Sequence, residues 1–171
     1  MKILFTGKGG KSGSWAMRGE QLGAAMGAEV RPMHAGNYDV TVVVKRTPPE
    51  LMARIQGRWV WDLVDFYPQP HAYDWGRAEA INWVRAKINA LKPTAIIWPN
   101  QRMREDCDTG LPGIVLPHHH RIGIGSNPIR EKVGRVGYEG APAYLGQWRP
   151  ILEAECSKRG WQFFINPYSV S

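Results

Sequence analysis

The sequence predicts a three-layer α/β fold with a mostly parallel sheet, and three observations lead to it. Short apolar, β-branched segments alternate with amphipathic helical segments along the chain, the pattern of repeated β-α units. The strand segments run apolar without in/out alternation, as expected where helices cover both faces of a sheet. The first of them opens into a glycine- and lysine-rich loop, TGKGGKSGSW at residues 6–15, which leads into a helix. In such a loop the backbone N–H groups and the helix start converge on one place, and glycines let an anion approach closely.

Each element has its own justification. Lys2–Phe5 is a short apolar strand, and Ser14 is placed to cap the following helix, on which Trp15, Leu22 and Ala25 share a face. Ala28–Arg31 is a candidate short strand. Asp39–Lys45 (DVTVVVK) reads as a buried strand because β-branched side chains suit a covered pleated surface. Pro48-Pro49 starts a short helix to about Gln56, and Trp59–Val64 is strand-like, ending in the polar, proline-broken segment Asp65–Asp74. Asp74 is a cap for a long helix, Trp75–Leu91, with Ile81, Val84, Ile88 and Leu91 at helical spacing and Pro93 as the stop. Thr94–Trp98 is the next strand, residues 99–110 a polar loop with one helical turn, and Gly113–Leu116 a further short strand. After the loop 117–131 come a strand near Arg135–Tyr138 and a helix from Pro142 to Gly160, on which Leu145, Trp148, Leu152 and Cys156 share a face. Trp161–Ile165 closes the chain as a strand.

At 171 residues the chain is most simply one domain, and its 43% hydrophobic content with eight tryptophans suits a packed core. No stretch is long and apolar enough to span a bilayer, and the N-terminus runs into glycine and lysine too early for a secretory signal. Cys107 and Cys156 are far apart and lack metal-ligand spacing; unpaired thiols suit a reducing cytoplasm. The net charge of +7 raises nucleic acid as a partner. That charge is spread along the chain, with one modest cluster at Arg121, Arg130, Lys132 and Arg135, so it fits anionic ligands in general and does not single out DNA.

In a parallel α/β sheet ligands sit beyond the C-terminal ends of the strands, so the post-strand loops hold the candidate chemistry. In the first loop Gly9, Gly10, Lys11, Ser12, Gly13 and Ser14 are candidate ligand-binding residues. The loop is not a nucleotide-triphosphatase P-loop, because Phe5 stands where the first glycine of that motif belongs. A dinucleotide fingerprint fits Gly7 and Gly9 but finds Ser12 in the third position, with Gly13 one place late; a plain strand-to-helix turn is the other reading. Asp65, at the mouth of the strand containing Asp62, is a candidate general base or hydroxyl-binding group, or else a turn cap. His118, His119, His120 and Arg121 follow another strand. No second cluster at ligand spacing accompanies them, so no metal is assigned; anion binding, or a histidine base at His118, is the chemical reading. Asn100 and Arg102 after Trp98 are candidates for sugar hydroxyls or phosphate, and Lys45-Arg46 has the same two-sided character as a solvated or ligand-facing pair.

Taken in order, SGSWAMRGEQLG, DVTVVVKR, WDLVDFYPQP and IIWPNQRMRED resemble the N-terminal domain of a two-domain (GT-B type) glycosyltransferase. The later VGYEGAPAYLGQWRPILEAECSKRGWQFFINP resembles the opening β-α-β of that family's second domain. The resemblance implies a Rossmann-like domain over 1–171, with 1–132 matching the first domain and 133–171 the start of the second. The C-terminal strand either opens that second domain or joins the first sheet. In that family the two domains face each other across a cleft that takes a nucleotide-sugar donor and an acceptor. Carried over, Gly9–Ser14 would lie near the donor phosphates, Asp65 or His118 would deprotonate the acceptor hydroxyl, and His119, His120 and Arg121 would meet phosphate. Two full domains need about twice this length, so a second protein chain or a further copy of this one is an expected partner. The expected function is a glycosyltransferase-like protein binding a nucleotide sugar or other phosphorylated ligand as substrate, with no separate cofactor. The alternatives are a non-catalytic nucleotide- or partner-binding protein and a DNA-associated protein acting on modified bases.

Overall fold

A computed structural model describes residues 1–10, 12–65, 76–107, 109–117, 131–140 and 145–167. The chain divides into two units, Met1–Ile124 and Gly125–Ser171. In the first unit the elements run β1 (Ile3–Gly7), a π-helical stretch π1 (Trp15–Gln21) continuing into α1 (Leu22–Ala25), then β2 (Glu29–Val30) and β3 (Val40–Val44). They continue with α2 (Pro49–Met52), β4 (Trp59–Asp62), α3 (Arg77–Leu91), β5 (Ala95–Trp98), α4 (Gln101–Cys107) and β6 (Gly113–Val115). The six strands form one sheet in the order β2-β1-β3-β4-β5-β6, with every neighbouring pair parallel. This is the Rossmann-like α/β arrangement that the alternation of strands and helices predicts.

Apolar residues line both faces of the sheet. On one face Phe5, Val42, Val44 and Ile97 pack with Trp15 from π1. On the other Val43, Trp59, Trp61, Ile96 and Trp98 pack with Leu51 of α2, Val84 and Ile88 of α3, and Met103 and Cys107 of α4. The two sets alternate along β4 and β5, and in β3 the run VTVVV is buried from Thr41 to Val44 because both of its faces are covered.

Several boundaries differ from the sequence expectation for identifiable reasons. Ser14 is already helical in backbone angles and caps nothing with its side chain. Ser12 does that work: its Oγ accepts the Trp15 N–H at 3.3 Å. The following turns widen, with the Leu22 N–H bonded to the Met17 carbonyl five residues back, and Trp15, Arg18 and Gly19 are buried together. The strand expected over Trp59–Val64 stops at Asp62 because Val64 turns to φ 59°, outside extended geometry. The single helical turn expected within 99–110 extends to a helix over Gln101–Cys107; Asn100 caps it through Oδ1 to the Met103 N–H at 2.7 Å, and Met103 and Cys107 bury one face. The expected cap Asp74 lies outside the described residues. The Glu79 carboxylate instead takes the Gly76 N–H at 3.1 Å and starts α3.

The second unit is a β-α-β: β7 (Arg135–Gly140), α5 (Trp148–Lys158) and β8 (Gln162–Pro167), with β7 and β8 paired in parallel from Arg135↔Gln162 to Gly140↔Pro167. The closing strand therefore pairs with β7, not with a strand of the six-stranded sheet. Its helix starts later than Pro142, which lies outside the described residues. The chain turns at Leu145–Trp148, with the Trp148 N–H on the Leu145 carbonyl and Gly146 at φ 40°. That turn puts Trp148 at the first helical position, 57% exposed, ahead of the helix's buried Cys156, while Leu145 is buried in the turn before the helix. Cys107 and Cys156 are both buried free thiols, and burial pushes the Cys107 thiol above its ordinary value. No helix among the described residues is long and apolar enough to cross a membrane.

Candidate functional site

From β1 the chain crosses to β2 on one side, and from β3 it crosses to β4 on the other. The loops leaving β1 and β3 thus diverge, and a crevice opens between them at the C-terminal ends of the strands, the place where open α/β sheets take ligands. A cleft of about 230 Å³ lies there. Three cations line it, Lys8 from the first loop and Lys45 and Arg46 from the third strand's end, together with the hydroxyls of Ser12 and Ser14. Gly9 lines it too, at φ 70° and packed so closely on Pro32 that a Cβ would come within 2.5 Å of the proline ring. Trp15 and Val44 supply the apolar part of the wall.

The ends of β3 and β4 are built alike. The Arg46 N–H bonds the Val44 carbonyl at 2.8 Å across Lys45 at φ 60°, and the Asp65 N–H bonds the Leu63 carbonyl at 2.6 Å across Val64 at φ 59°. Both are three-residue turns with a non-glycine centre at positive φ, a costly conformation that persists only where its surroundings hold it. The surroundings are visible. The Lys45 N–H donates to the Asp62 carbonyl at 2.7 Å, and the Lys45 carbonyl accepts the Trp61 indole N–H at 3.1 Å. Val64 is fully buried, and its N–H reaches Asp62 Oδ1 at 3.3 Å. The paired turns bring the Lys45 ammonium onto the Asp65 carboxylate as an ion pair at the rim of the cleft, with Ser14 Oγ 3.5 Å from Lys45 Nζ.

Beneath this rim lies a buried charge pair. Arg18, from π1, donates from Nε to Asp62 Oδ2 at 2.9 Å and from Nη2 to Asp62 Oδ1 at 3.0 Å. Its Nη1 donates to the carbonyls of Leu116 and Pro117 at 2.9 and 3.2 Å, just past β6. Arg18 is 1% and Asp62 0% exposed, so each charge depends on the other and on fixed dipoles for the compensation that water would otherwise give.

The sequence-predicted residues distribute as follows. Gly9, Ser12 and Ser14 line the cleft, and Asp65 meets its Lys45. Gly10 is exposed on the same loop, and Gly13 is exposed where the chain turns helical. Asn100 sits past β5, its side-chain oxygen engaged as the cap of α4. Arg102 points outward on α4, its side chain 69% exposed and 3.3 Å from Asp106, and neither it nor Asn100 lines the cleft. Lys11, His118, His119, His120 and Arg121 lie outside the described residues. Sequence reasoning passed over Lys8, whose position one residue past the strand end was the available signal. It also passed over Arg18–Asp62, which no local pattern announces. Among the described residues no group of three or more His, Cys, Asp or Glu side chains converges as a metal site.

A second, shallower cleft of about 480 Å³ lies at the other end of β1, bordered by Lys2, Glu29, His34 and Tyr38. Burial, and then the hydrogen bond to Glu29, raise the Tyr38 phenol above its ordinary value, while that bond and Arg31 lower Glu29. Lys2 and Ile3 place this cleft at the start of β1, away from the strand ends where such sheets bind ligands. No protein-family model, curated protein or solved structure matches this chain.

Proposed function

We propose that the chain is a glycosyltransferase-like protein that receives a phosphorylated ligand, in particular a nucleotide sugar, with the phosphates in the cleft between the ends of β1 and β3. The single observation carrying this reading is the convergence of Lys8, Lys45 and Arg46 with two serine hydroxyls at the sheet's topological switch point. A diphosphate bridge offers the negative charge and acceptor oxygens that this set of donors matches. By contrast, many helix cations elsewhere are already answered by carboxylates: Arg77 and Arg102 by Asp106, Arg149 by Glu153, and Lys158 and Arg159 by Glu155. That distribution favours a small anion at one site over an extended nucleic-acid backbone. Asp65, ion-paired with Lys45, is the carboxylate that this reading assigns to an acceptor hydroxyl.

Thermal-shift titration tests the reading. A saturating UDP- or GDP-sugar at about 100 times its Kd stabilises the chain by roughly 2.7 kcal/mol, raising Tm by about 5–10 °C. Lys8→Ala/Arg46→Ala abolishes the shift, whereas Arg102→Ala leaves it in place. A chain that ignores nucleotide sugars but is stabilised by duplex DNA, with a steep loss in salt, is a nucleic-acid binder instead.

A further inference from the structure

Of the three cations in the cleft, one is already engaged. Lys45 holds the Asp65 carboxylate, whereas among the described residues Lys8 and Arg46 make no ion pair. Lys45 and Asp65 sit in the positive-φ turns, centred on Lys45 and Val64, at the ends of neighbouring strands, which brings their backbones close enough for the side chains to pair. Their side chains are 26% and 24% exposed, open enough for an incoming ion to compete.

We propose that Asp65 is a specificity-determining residue: a resident carboxylate that occupies Lys45 and surrenders it only to a group of higher charge, such as a phosphate dianion or a pyrophosphate. The inference rests on the anion reading of the cleft given above. Its logic is electrostatic. Replacing one carboxylate by another at Lys45 leaves the local charge unchanged, so a carboxylate ligand gains nothing at that position. A dianion brings one further negative charge into a cleft that also holds Lys8 and Arg46, and the exchange then favours the ligand. The Asp65 carboxylate moves toward solvent, and no bond is made or broken. The pair thereby filters out the carboxylate metabolites that a bare three-cation cleft would accept.

Sulfate and acetate are suitable probes, titrated calorimetrically into the full chain. Wild type binds sulfate and not acetate. Asp65→Asn binds sulfate more tightly, by about five-fold for a partly exposed pair, and acquires acetate binding. Adding Asp65→Asn to Lys45→Met changes sulfate affinity by less than twofold, because the competitor then has nothing to occupy. Sulfate binding that is equal or weaker in Asp65→Asn than in wild type overturns the proposal while leaving the cleft as an anion site. Failure of sulfate and pyrophosphate to bind either chain overturns both readings. A measurement that needs no variant is the 13C signal of the Asp65 side-chain carboxyl in the wild-type chain. It shifts as sulfate fills the cleft, and a signal that stays in place at saturation overturns the exchange.

Discussion

The guanidinium of Arg18 and the carboxylate of Asp62 form a two-bonded ion pair, at 2.9 and 3.0 Å, sealed within the first unit. It joins the helix that follows β1 to the end of β4, and through the Leu116 and Pro117 carbonyls to the segment after β6. Three structural elements that meet nowhere in the sequence are thus held by one side chain directly under the candidate site.

Removing one member leaves the other charged and buried. Arg18→Met is expected to lower stability by about 3–5 kcal/mol, read from urea unfolding. Arg18→Met/Asp62→Leu removes the stranded carboxylate and loses less than Arg18→Met alone. A double variant that is the weaker of the two would show that Asp62 is stabilised chiefly by its other contacts, among them the Val64 N–H.

Helix α3 ends at Lys92, which sits in the left-handed region at φ 50°, ψ 57° with its N–H on the Ile88 carbonyl. Its side chain is exposed, so packing does not complicate the exchange. Lys92→Gly relieves the Cβ strain at this position and is expected to stabilise the chain by about 1 kcal/mol, or roughly 2–4 °C in Tm. A lower melting temperature would contradict the assigned geometry.

Asp106 carries a pH dependence whose sign follows from its partners. Hydrogen bonds from Arg77 hold its carboxyl below the ordinary carboxylate value against the opposing effect of burial, with the charges of Arg77 and Arg102 acting in the same sense as the bonds. A carboxylate lowered in the folded state contributes stability that is fully present above the unfolded value and is lost as pH falls through the folded one. The stability difference between wild type and Asp106→Asn is therefore constant near neutrality and shrinks as pH drops below about 4. Urea midpoints collected from pH 7 downward check this, and a gap that widens in acid would refute it.

The architecture was legible because β-branched runs and helical spacings report on burial, and burial is what an α/β sheet demands of them. Val84 and Ile88 face the core as their spacing required. Helix α4 was read as a single turn because only Met103 and Cys107 mark its buried side, too few for a period; the cap at Asn100 was the stronger signal. The site was half legible. Glycines and serines after β1 mark the loop that lines the strand-end cleft, but Lys45 and Val64 are not residues that ask for positive φ. Nothing in their identity foretells turns that join Lys45 to Asp65. Arg18 and Asp62 lie 44 positions apart, and a widened helix sets the register at which Arg18 arrives.

The order β2-β1-β3 puts the amino-terminal strand inside the sheet, with neighbours on both sides. On the ribosome, then, β1 emerges as a strand that cannot be finished early: its pairing with Val40–Val44 must wait until those residues have left the exit tunnel. Among the described residues every strand joins its neighbours in parallel through a crossover and none forms a hairpin, so no such local seed is seen there and collapse depends on closing long loops. Between the emergence of β1 and that of β3 the nascent chain therefore exposes the edge of an apolar strand, and the window in which it needs shielding closes only when β3 docks.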